Sequence, residues 1–318
     1  MKGKKLAVVA IGGNSLIRDR AHQSVQDQED ALRETSRHLA DMIGQGWDLA
    51  ITHGNGPQVG FIVRRSEIAH KTEGMHEVPL DVCGADTQGA IGYELQQALQ
   101  NELYHRGIRR NVATLITQTL VDAGDPAFLR PSKPIGGYLS LEEADRRTRE
   151  DGWSVTEDAG RGWRRVVPSP PPKEIVELDT IRLLLEAGTV VIAVGGGGIP
   201  VADVGAGEYR GVAAVVDKDL ASSLLASGLG ADLFLISTSV EKVAAGFGGP
   251  AERRLDVLTL EEARRLLAEG THFAPGSMAP KVEAVIRYLE SGGKRALITS
   301  PACIGPALRG ETGTHCTA

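Results

Sequence analysis

Two lysines stand where the sequence predicts that a helix begins. Lys218 lies between Asp217 and Asp219, and Lys281 closely follows the glycine-containing segment that ends at Met278. A cation in the first turn of a helix opposes the helix dipole by roughly 0.3–1 kcal/mol, and a bound anion reverses that penalty. The alternative is that each lysine is only an exposed side chain in water. Two such lysines together indicate an anion site.

Phosphoryl transfer is the chemistry that suits these lysines. Negative charge spreads over the oxygens of the moving group, so catalysis depends on positioning and cationic stabilisation and needs no side-chain nucleophile. Asp219 is a candidate to orient the lysines, whereas Asp217 has a second interpretation as a helix cap. The eight histidines form no paired ligand pattern. We therefore expect no protein-held metal, and Mg2+ that arrives with a nucleotide.

Glycine-rich loops follow several predicted strands or precede a predicted helix. Glycine lets the backbone approach phosphate oxygens without a Cβ in the way, although each loop is equally interpretable as a tight turn. None is a P-loop, and the segment 54–60 has one residue too many for the dinucleotide motif G-x-G-x-x-G. The loops lie at 12–14, 53–56, 195–200 and 276–278.

Short apolar runs alternate with helical patterns along most of the chain. This alternation is typical of an α/β fold with an open, mostly parallel sheet sandwiched between helices, and ligands of such sheets gather at the carboxyl ends of the strands. The predicted strands are 6–11, 48–53, 113–121, 190–195, 231–238 and 296–300. The predicted helices are 31–43, 89–105, 181–187, 220–225, 260–268 and 281–289.

The segment 122–173 interrupts this alternation. It is rich in Pro, Gly, Arg and Trp, shows one clear short helix at about 141–149, and ends near the stiff proline-rich run 168–172. We predict a small, protruding inserted subdomain. The expected division is an N-terminal lobe at 1–178 that carries the insert and a C-terminal lobe at 179–318.

Composition and charge narrow the class of protein. Apolar residues make up 42% and charged residues 24% of the 318 residues, as in ordinary globular proteins. The net charge of -6 argues against nucleic acid as a main partner, and no apolar run approaches the roughly 20 residues that span a bilayer. Three cysteines without C-x-x-C spacing favour neither disulfides nor zinc, so we expect a cytoplasmic protein.

Motifs spread over nearly the whole chain resemble those of carbamate kinases, within the amino acid kinase superfamily. The resemblance implies an amino acid kinase-like fold and reversible phosphoryl transfer between ATP and carbamate, giving ADP and carbamoyl phosphate. It also implies a homodimer and a place in arginine metabolism. The motifs are IGGNSL at 11–16, THGNGPQVG at 52–60, PLDVCG at 79–84, KPIG at 133–136, EDAGRGWRRVVP at 157–168, GGGGIP at 195–200, DKDLAS at 217–222 and HFAPGSM at 272–278.

The resemblance assigns roles to particular residues of this sequence. Lys133 would reach in from the insert as a catalytic residue, Lys218 and Lys281 would stabilise phosphate charge, and Asp219 would align them. Without the resemblance, Lys133 before Pro134 is only an extended loop lysine. The residues expected to hold carbamate and the phosphoryl group are Gly12, Gly13, Asn14, Gly54 and Asn55. The residues expected to bind the nucleotide are Gly196, Gly197, Asp217, Thr238, Ser239, Val243, Ala244 and Met278.

Some positions depart from the family pattern. Ser239 and Ala244 stand where an acidic residue and an aromatic residue are common near the adenine, and Gly137 and Ala279 replace a usual proline and glycine. Both motif lysines remain, so we expect activity to be retained. Four residues of the insert would either clamp an anion or pack the insert itself, namely Arg161, Trp163, Arg164 and Arg165.

Two other functions are compatible with such a fold. Another amino acid kinase would phosphorylate an amino acid carboxylate or a nucleotide such as UMP, but the segment 133–136 and its insert argue against it. A non-catalytic sensor would bind nucleotide or anion, and the loss of a key lysine would have favoured it. No key lysine is missing, so the enzyme is the preferred interpretation.

Overall fold

A computed structural model of the chain describes residues 5–12, 24–158, 162–249, 252–274 and 276–318. Within these ranges the strands are β1 (Lys5–Ile11), β2 (Trp47–His53), β3 (Val112–Thr114), β4 (Gln118–Leu120), β5 (Lys133–Leu139), β6 (Ser154–Glu157), β7 (Trp163–Val167), β8 (Glu174–Ile175), β9 (Val190–Ile192), β10 (Ile199–Asp203), β11 (Tyr209–Gly211), β12 (Leu233–Ser237), β13 (Val243–Ala245), β14 (Arg253–Leu255), β15 (Val257–Thr259), β16 (Ala296–Thr299) and β17 (Thr314–Thr317). The α-helices are α1 (Val25–Gly44), α2 (Gly56–Glu73), α3 (Leu80–His105), α4 (Leu141–Asp151), α5 (Leu178–Glu186), α6 (Lys218–Leu229), α7 (Leu260–Glu269), α8 (Met278–Glu290) and α9 (Ile304–Leu308).

Eight strands form the main sheet, in the order β15-β17-β16-β12-β1-β2-β9-β3. Every neighbouring pair is parallel except β16 and β17. The central strands are buried along nearly their whole length, as the uninterrupted apolar runs predicted. The expected open, mostly parallel sheet is therefore confirmed.

Helices cover both faces of the main sheet. Leu6, Val8 and Ala10 of β1 point to a core shared with α5, α6, α7 and α8. The alternate side chains of the same strand, including Val9, point to a second core shared with α1, α3 and α9. This alternation follows from the two-residue period of a strand, and it produces the expected helix, sheet, helix layers.

The segment 113–121, predicted as one strand, is two strands in two sheets. β3 belongs to the main sheet, whereas β4 pairs with β10 and β8 in a separate four-stranded sheet. Gln88 of α3 holds the chain between them, because its side-chain amide accepts from the backbone nitrogen of Thr117 at 2.8 Å and donates to the oxygen of Thr117 at 3.0 Å. The apolar run continued through the break, so the sequence pattern did not show it.

Helix α2 was not predicted at all, and α3 begins nine residues before its predicted start. Two glycines and a proline in the first five residues of α2 hid the helical pattern. The signal that was present is Pro57, since proline is favoured in the first turn of a helix, where no backbone N–H is needed.

The predicted insert is a three-stranded antiparallel sheet, β5-β7-β6, with α4 beside it. Its two ends lie together: the backbone nitrogen of Lys173 donates to the oxygen of Leu120, and the ammonium of Lys173 contacts Asp122 at 2.7 Å. The chain therefore leaves and re-enters the body of the protein at one place, as an inserted unit does.

Candidate active site

Four neighbouring strands of the main sheet end at the same level. Ile11 of β1 is in register with His53 of β2 and with Ser237 of β12, and Ser237 is in register with Thr299 of β16. The loops that follow these strands are therefore brought together at one edge of the sheet. In a parallel sheet this edge is where ligands bind.

Gly12 and Gly54 lie side by side at this edge. The backbone nitrogen of Gly12 donates to the oxygen of Ser237 at 3.0 Å, and that of Gly54 donates to the oxygen of Ile11 at 3.1 Å. A Cβ at Gly12 would lie 2.8 Å from the Ser237 oxygen, so the close approach requires glycine. Gly13 and Asn14, two of the expected substrate-binding residues, lie outside the described residues.

Asn55 is held in a buried position just before α2. Its side-chain nitrogen donates to the hydroxyl of Thr87 on α3 at 2.9 Å, and that hydroxyl donates to the oxygen of Gly84. Gly196 packs against the other side, because a Cβ there would lie 2.2 Å from the Asn55 side-chain nitrogen. The orientation of Asn55 is thus set by two separate elements.

The glycine loop at 195–198 is a packed junction. Each of its four glycines is buried, and a Cβ on any of them would lie within 2.4 Å of an atom of a neighbouring segment. Gly195 faces His53, Gly197 faces the oxygen of Val216, and Gly198 faces Thr119. The loop therefore joins the end of β2, the segment before α6, and β4. The expected contact of Gly196 and Gly197 with a nucleotide stays a prediction.

Helix α6 begins with Asp217 as its cap. One carboxylate oxygen of Asp217 accepts from the backbone nitrogens of Asp219 and Leu220, at 2.9 and 3.3 Å. This geometry supports the capping interpretation of Asp217 and places Lys218 at the first helical position. Lys218 thus stands at the helix end where an anion is favoured.

Lys218 and Lys281 converge on one carboxylate. The ammonium nitrogen of Lys218 lies 2.5 Å from one oxygen of Asp219, and that of Lys281 lies 2.9 Å from the other. The side chains are 12%, 13% and 5% exposed for Lys218, Lys281 and Asp219. Asp219 therefore holds two helices, α6 and α8, with their lysines pointing to a common place.

Lys133 joins this cluster from the insert. As the first residue of β5, it donates a short hydrogen bond to the second oxygen of Asp217. Three lysines and two aspartates thus meet within contact distance of the start of α6, which leaves one net positive charge. The predicted convergence of lysines 133, 218 and 281 is what the structure shows.

Burial and charge act against each other on these groups. Burial raises the pKa of Asp219, but the ammonium groups of Lys218 and Lys281 outweigh it and hold that pKa below its usual value. Asp217 shows the same balance, with burial opposed chiefly by Lys133. Burial lowers the pKa of Lys218, whereas the pKa of Lys281 is raised despite burial, because Asp219 lies against it.

The remaining nucleotide candidates lie around β12 and the start of α8. Thr238 follows β12, donates from its backbone nitrogen to Thr299, and lies near Gly12. Val243 is buried in β13, with Ala244 partly exposed beside it and Ser239 exposed before them. Met278 begins α8 one turn before Lys281 and packs against the core. The expected contact of these residues with a nucleotide stays a prediction.

Arg164 packs within the insert, and Arg165 contacts both the insert and α2. Arg164 contacts Asp158 at 3.3 Å, donates to the oxygen of Gly136 and stacks on Tyr138. Arg165 stacks on Trp153 and bonds Glu67 of α2 at 2.8 Å. Of the two open alternatives, packing describes Arg164 and Arg165, and Trp163 lies at the start of β7. Arg161 lies outside the described residues.

Three residues near the cluster were missed by sequence reasoning. Thr87 and Gln88 on α3 orient Asn55 and the loops at 117 and 195. His53 is buried beside Gly195, and burial lowers its pKa to about 4. Only His53 had a sequence signal, its place at the end of a predicted strand, since nothing in a helical pattern marks Thr87 or Gln88.

Of the helices in the described ranges, none combines the length and apolar character that crossing a membrane would require. In those ranges we also find no group of three or more His, Cys, Asp or Glu side chains placed to hold a metal ion.

Comparisons with known proteins relate this arrangement to an enzyme family. The profile of the amino acid kinase family matches residues 5–300. The chain is 50% identical to the carbamate kinase-like protein YahI of Escherichia coli and 49% identical to the carbamate kinase of Pyrococcus furiosus, over 98% of each chain in both cases. The solved structure of carbamate kinase from Giardia lamblia bound to AMP-PNP superposes with a TM-score of 0.90 at 40% identity, covering 100% of this chain and 99% of that one.

Proposed function

The chain belongs to the amino acid kinase family, and from that membership we propose that it acts as a carbamate kinase. It is a phosphotransferase that moves a phosphoryl group reversibly between ATP and carbamate. Relatives named carbamate kinase match it at nearly half of all positions over almost their full length. The observation in this chain that carries the proposal is the convergence of Lys133, Lys218 and Lys281 on Asp217 and Asp219.

The cluster suits the transfer because the reaction moves negative charge between oxygens. In the ATP-forming direction, an oxygen of the ADP β-phosphate attacks the phosphorus of carbamoyl phosphate. The bond from phosphorus to the carbamoyl oxygen breaks, and carbamate leaves with that electron pair. Carbamate then takes up a proton from water and decomposes to ammonia and CO2. Buried ammonium groups stabilise the charge on the transferred group more strongly than water-exposed ones would. No side-chain nucleophile is required.

The roles of single residues follow this scheme. Lys133, Lys218 and Lys281 contact the transferred group, and Asp219 aligns the last two. Carbamate and the phosphoryl group lie against the strand-end residues Gly12, Gly13, Asn14, Gly54 and Asn55. The nucleotide lies on the side of Gly196, Gly197, Thr238, Ser239, Val243, Ala244 and Met278. The 1–178 lobe is accordingly the acceptor side and the 179–318 lobe the nucleotide side.

The proposal also covers the metal ion, the oligomeric state, the cellular location and the metabolic role of the enzyme. The nucleotide is taken as its Mg2+ complex, in which the ion neutralises phosphate charge when bound. We also propose a homodimer, a cytoplasmic location and a place in arginine metabolism. The homodimer is supported by large apolar side chains on and near the outer face of α3 that are exposed in the single chain, such as Val82 and Tyr93.

A substrate panel tests the function directly. Purified protein with ADP, Mg2+ and carbamoyl phosphate should form ATP, which a luciferase assay measures. In the opposite direction, carbamate should accept the phosphoryl group from ATP, whereas acetylglutamate, aspartate and UMP should not. Phosphorylation of one of the last three would identify another amino acid kinase. Nucleotide binding without any turnover would identify a sensor.

Replacing Lys281 tests the charge cluster. Lys281→Ala should lower kcat by about 10²–10³, the effect of removing one preorganised charge-stabilising group. The free energy of unfolding should fall by only about 1–3 kcal/mol, because Asp219 keeps its bond to Lys218. The matched control is Lys294→Ala, since Lys294 is exposed at the surface and pairs with Asp232. Equal kcat in the two variants would show that Lys281 has no role in the reaction.

A further inference from the structure

Asp217 uses its two carboxylate oxygens for different partners. One oxygen caps α6 by accepting from the backbone of Asp219 and Leu220. The other accepts from the ammonium of Lys133, which lies 84 positions earlier in the chain. A helix cap needs only the first oxygen, so the cap does not account for the second bond.

The bond to Lys133 links the insert to the C-terminal half of the chain. The backbone nitrogen of Val215 also donates to the oxygen of Pro168 at 2.9 Å, and two ion pairs join the insert to α2, from Arg165 to Glu67 at 2.8 Å and from Asp151 to Lys71 at 2.5 Å. Lys133 stands at the end of β5 that faces the start of α6. The position of this ammonium therefore depends on a carboxylate in the other half of the molecule.

A lone Asp217 would suit a phosphate site poorly. An ionised carboxylate repels the phosphate oxygens of a nucleotide or of carbamoyl phosphate at short range. Lys133, Lys218 and Lys281 all act on Asp217 through their charge. Lys218 and Lys281 bond directly to Asp219, whereas the ammonium of Lys133 bonds directly to Asp217.

We propose that Asp217 is a positioning residue that holds Lys133 of the insert over the phosphoryl group. An ammonium has three N–H donors, so Lys133 can keep its bond to Asp217 and still donate to a substrate oxygen. The role differs from the nucleotide contact that the family resemblance implied for Asp217. The effect of this role on catalysis rests on the proposed function. The contact between the Asp217 and Lys133 side chains is independent of that function.

Kinetics of Asp217→Asn test the catalytic effect. Asparagine caps a helix as well as aspartate does, so the substitution keeps the cap and removes the charge. KM for carbamoyl phosphate should rise roughly tenfold, as expected from weakening one charge-assisted hydrogen bond, while KM for ADP stays within about twofold of the wild-type value. Asp122→Asn is the matched control, because it weakens the exposed ion pair with Lys173 at the base of the same insert and should change neither constant.

A double variant separates positioning from direct nucleotide binding. If Asp217 acts through Lys133, the variant Lys133→Ala with Asp217→Asn should be no slower than Lys133→Ala alone. Additive losses together with a raised KM for ADP would overturn the proposal in favour of a nucleotide contact. Unchanged kinetics and an unchanged melting temperature in Asp217→Asn would overturn it in favour of a cap alone, since asparagine keeps the cap.

Hydrogen exchange gives a measurement that does not depend on activity. Backbone amides at 133–139 should exchange faster in Asp217→Asn and in Lys133→Ala than in the wild type or in Asp122→Asn, because the insert loses its contact with α6. Unchanged exchange at 133–139 would overturn the proposal. A wild-type protein without kinase activity would refute the proposed function, and the exchange result would still decide the contact.

Discussion

Asp219 accepts hydrogen bonds from two lysines that belong to different helices. A buried carboxylate without partners would be protonated or would destabilise the fold, and two adjacent ammonium groups would repel each other. Together the three groups satisfy one another and still leave an excess of positive charge. These groups therefore form a local, positively charged site in a protein whose net charge is -6.

His53 shows that the edge of the sheet is a dry environment. The ring is 1% exposed, one ring nitrogen lies 3.0 Å from the Gly54 oxygen, and the other faces Gly195. Burial is the main reason that its pKa falls to about 4, and the nearby Lys218 lowers it further. The ring is therefore neutral at pH 7 and adds no charge to the site.

The protonation of His53 predicts a pH dependence of stability. Its pKa is lower in the folded state than the value of 6.5 in the unfolded chain, so the unfolded chain binds more protons between these values. Stability should thus fall as the pH drops from 6.5 towards 4. Between pH 7 and pH 4.5, urea unfolding should show the wild type losing roughly 2 kcal/mol more than His53→Gln. Equal losses in the two proteins would contradict a buried, neutral His53.

Helix α2 and strand β5 approach each other at two glycines. A Cβ at Gly60 would lie 2.1 Å from the Cα of Gly136, and Gly136 itself has a φ of 70°, which favours glycine. Gly136 is three residues beyond Lys133 on the same strand. The contact between these two backbones therefore helps to set the position of the insert relative to α2.

Substitution at this contact should loosen the insert. Gly60→Ala should lower the free energy of unfolding by about 1–3 kcal/mol through overpacking, and should speed amide exchange at 133–139. Differential unfolding and exchange mass spectrometry measure the two effects. The control is Gly89→Ala in α3, where a Cβ would meet nothing within 4 Å and helix propensity should raise stability by about 0.5–1 kcal/mol. Similar behaviour of the two variants would mean that the contact does not constrain the insert.

The strand order of the main sheet determines which loops come together at the site. Parallel strands end on the same edge, and β12 from the second half of the chain lies directly beside β1 from the first half. Loops that are more than 200 positions apart in sequence therefore become neighbours. The two ends of the insert lie together at β4 and β8, and its residue Lys133 contacts Asp217 at the start of α6.

The proposed homodimer can be tested on the whole molecule. Tyr93 on α3 is 61% exposed in the single chain, a large aromatic surface to leave in water. Sedimentation should give twice the 33.7 kDa mass of one chain, and Tyr93→Glu should shift the protein towards the monomer. Phe247→Glu is the control, since Phe247 is 65% exposed in the loop between β13 and β14. Dimers unaffected by Tyr93→Glu would place the interface elsewhere.

Several features could be predicted from the sequence because they are local. The runs 6–11 and 48–53 were recognisable as strands because a strand covered on both faces is apolar along most of its length. The glycine loops and the lysines 218 and 281 were recognisable from their places beside strands and helix starts. The alternation of strands and helices predicted the fold class, whereas the family and the kinase activity were implied by the resemblance of motifs over nearly the whole chain to those of carbamate kinases.

Other features depend on residues that are distant in sequence, and only the folded chain brings them together. The break at 115–117 depends on Gln88, the four glycines at 195–198 depend on the atoms packed against them, and the second oxygen of Asp217 depends on Lys133. A sequence pattern reports the period and the polarity of neighbouring residues. It does not show which side chains will contact each other, because those contacts depend on how the helices and the insert pack on the sheet.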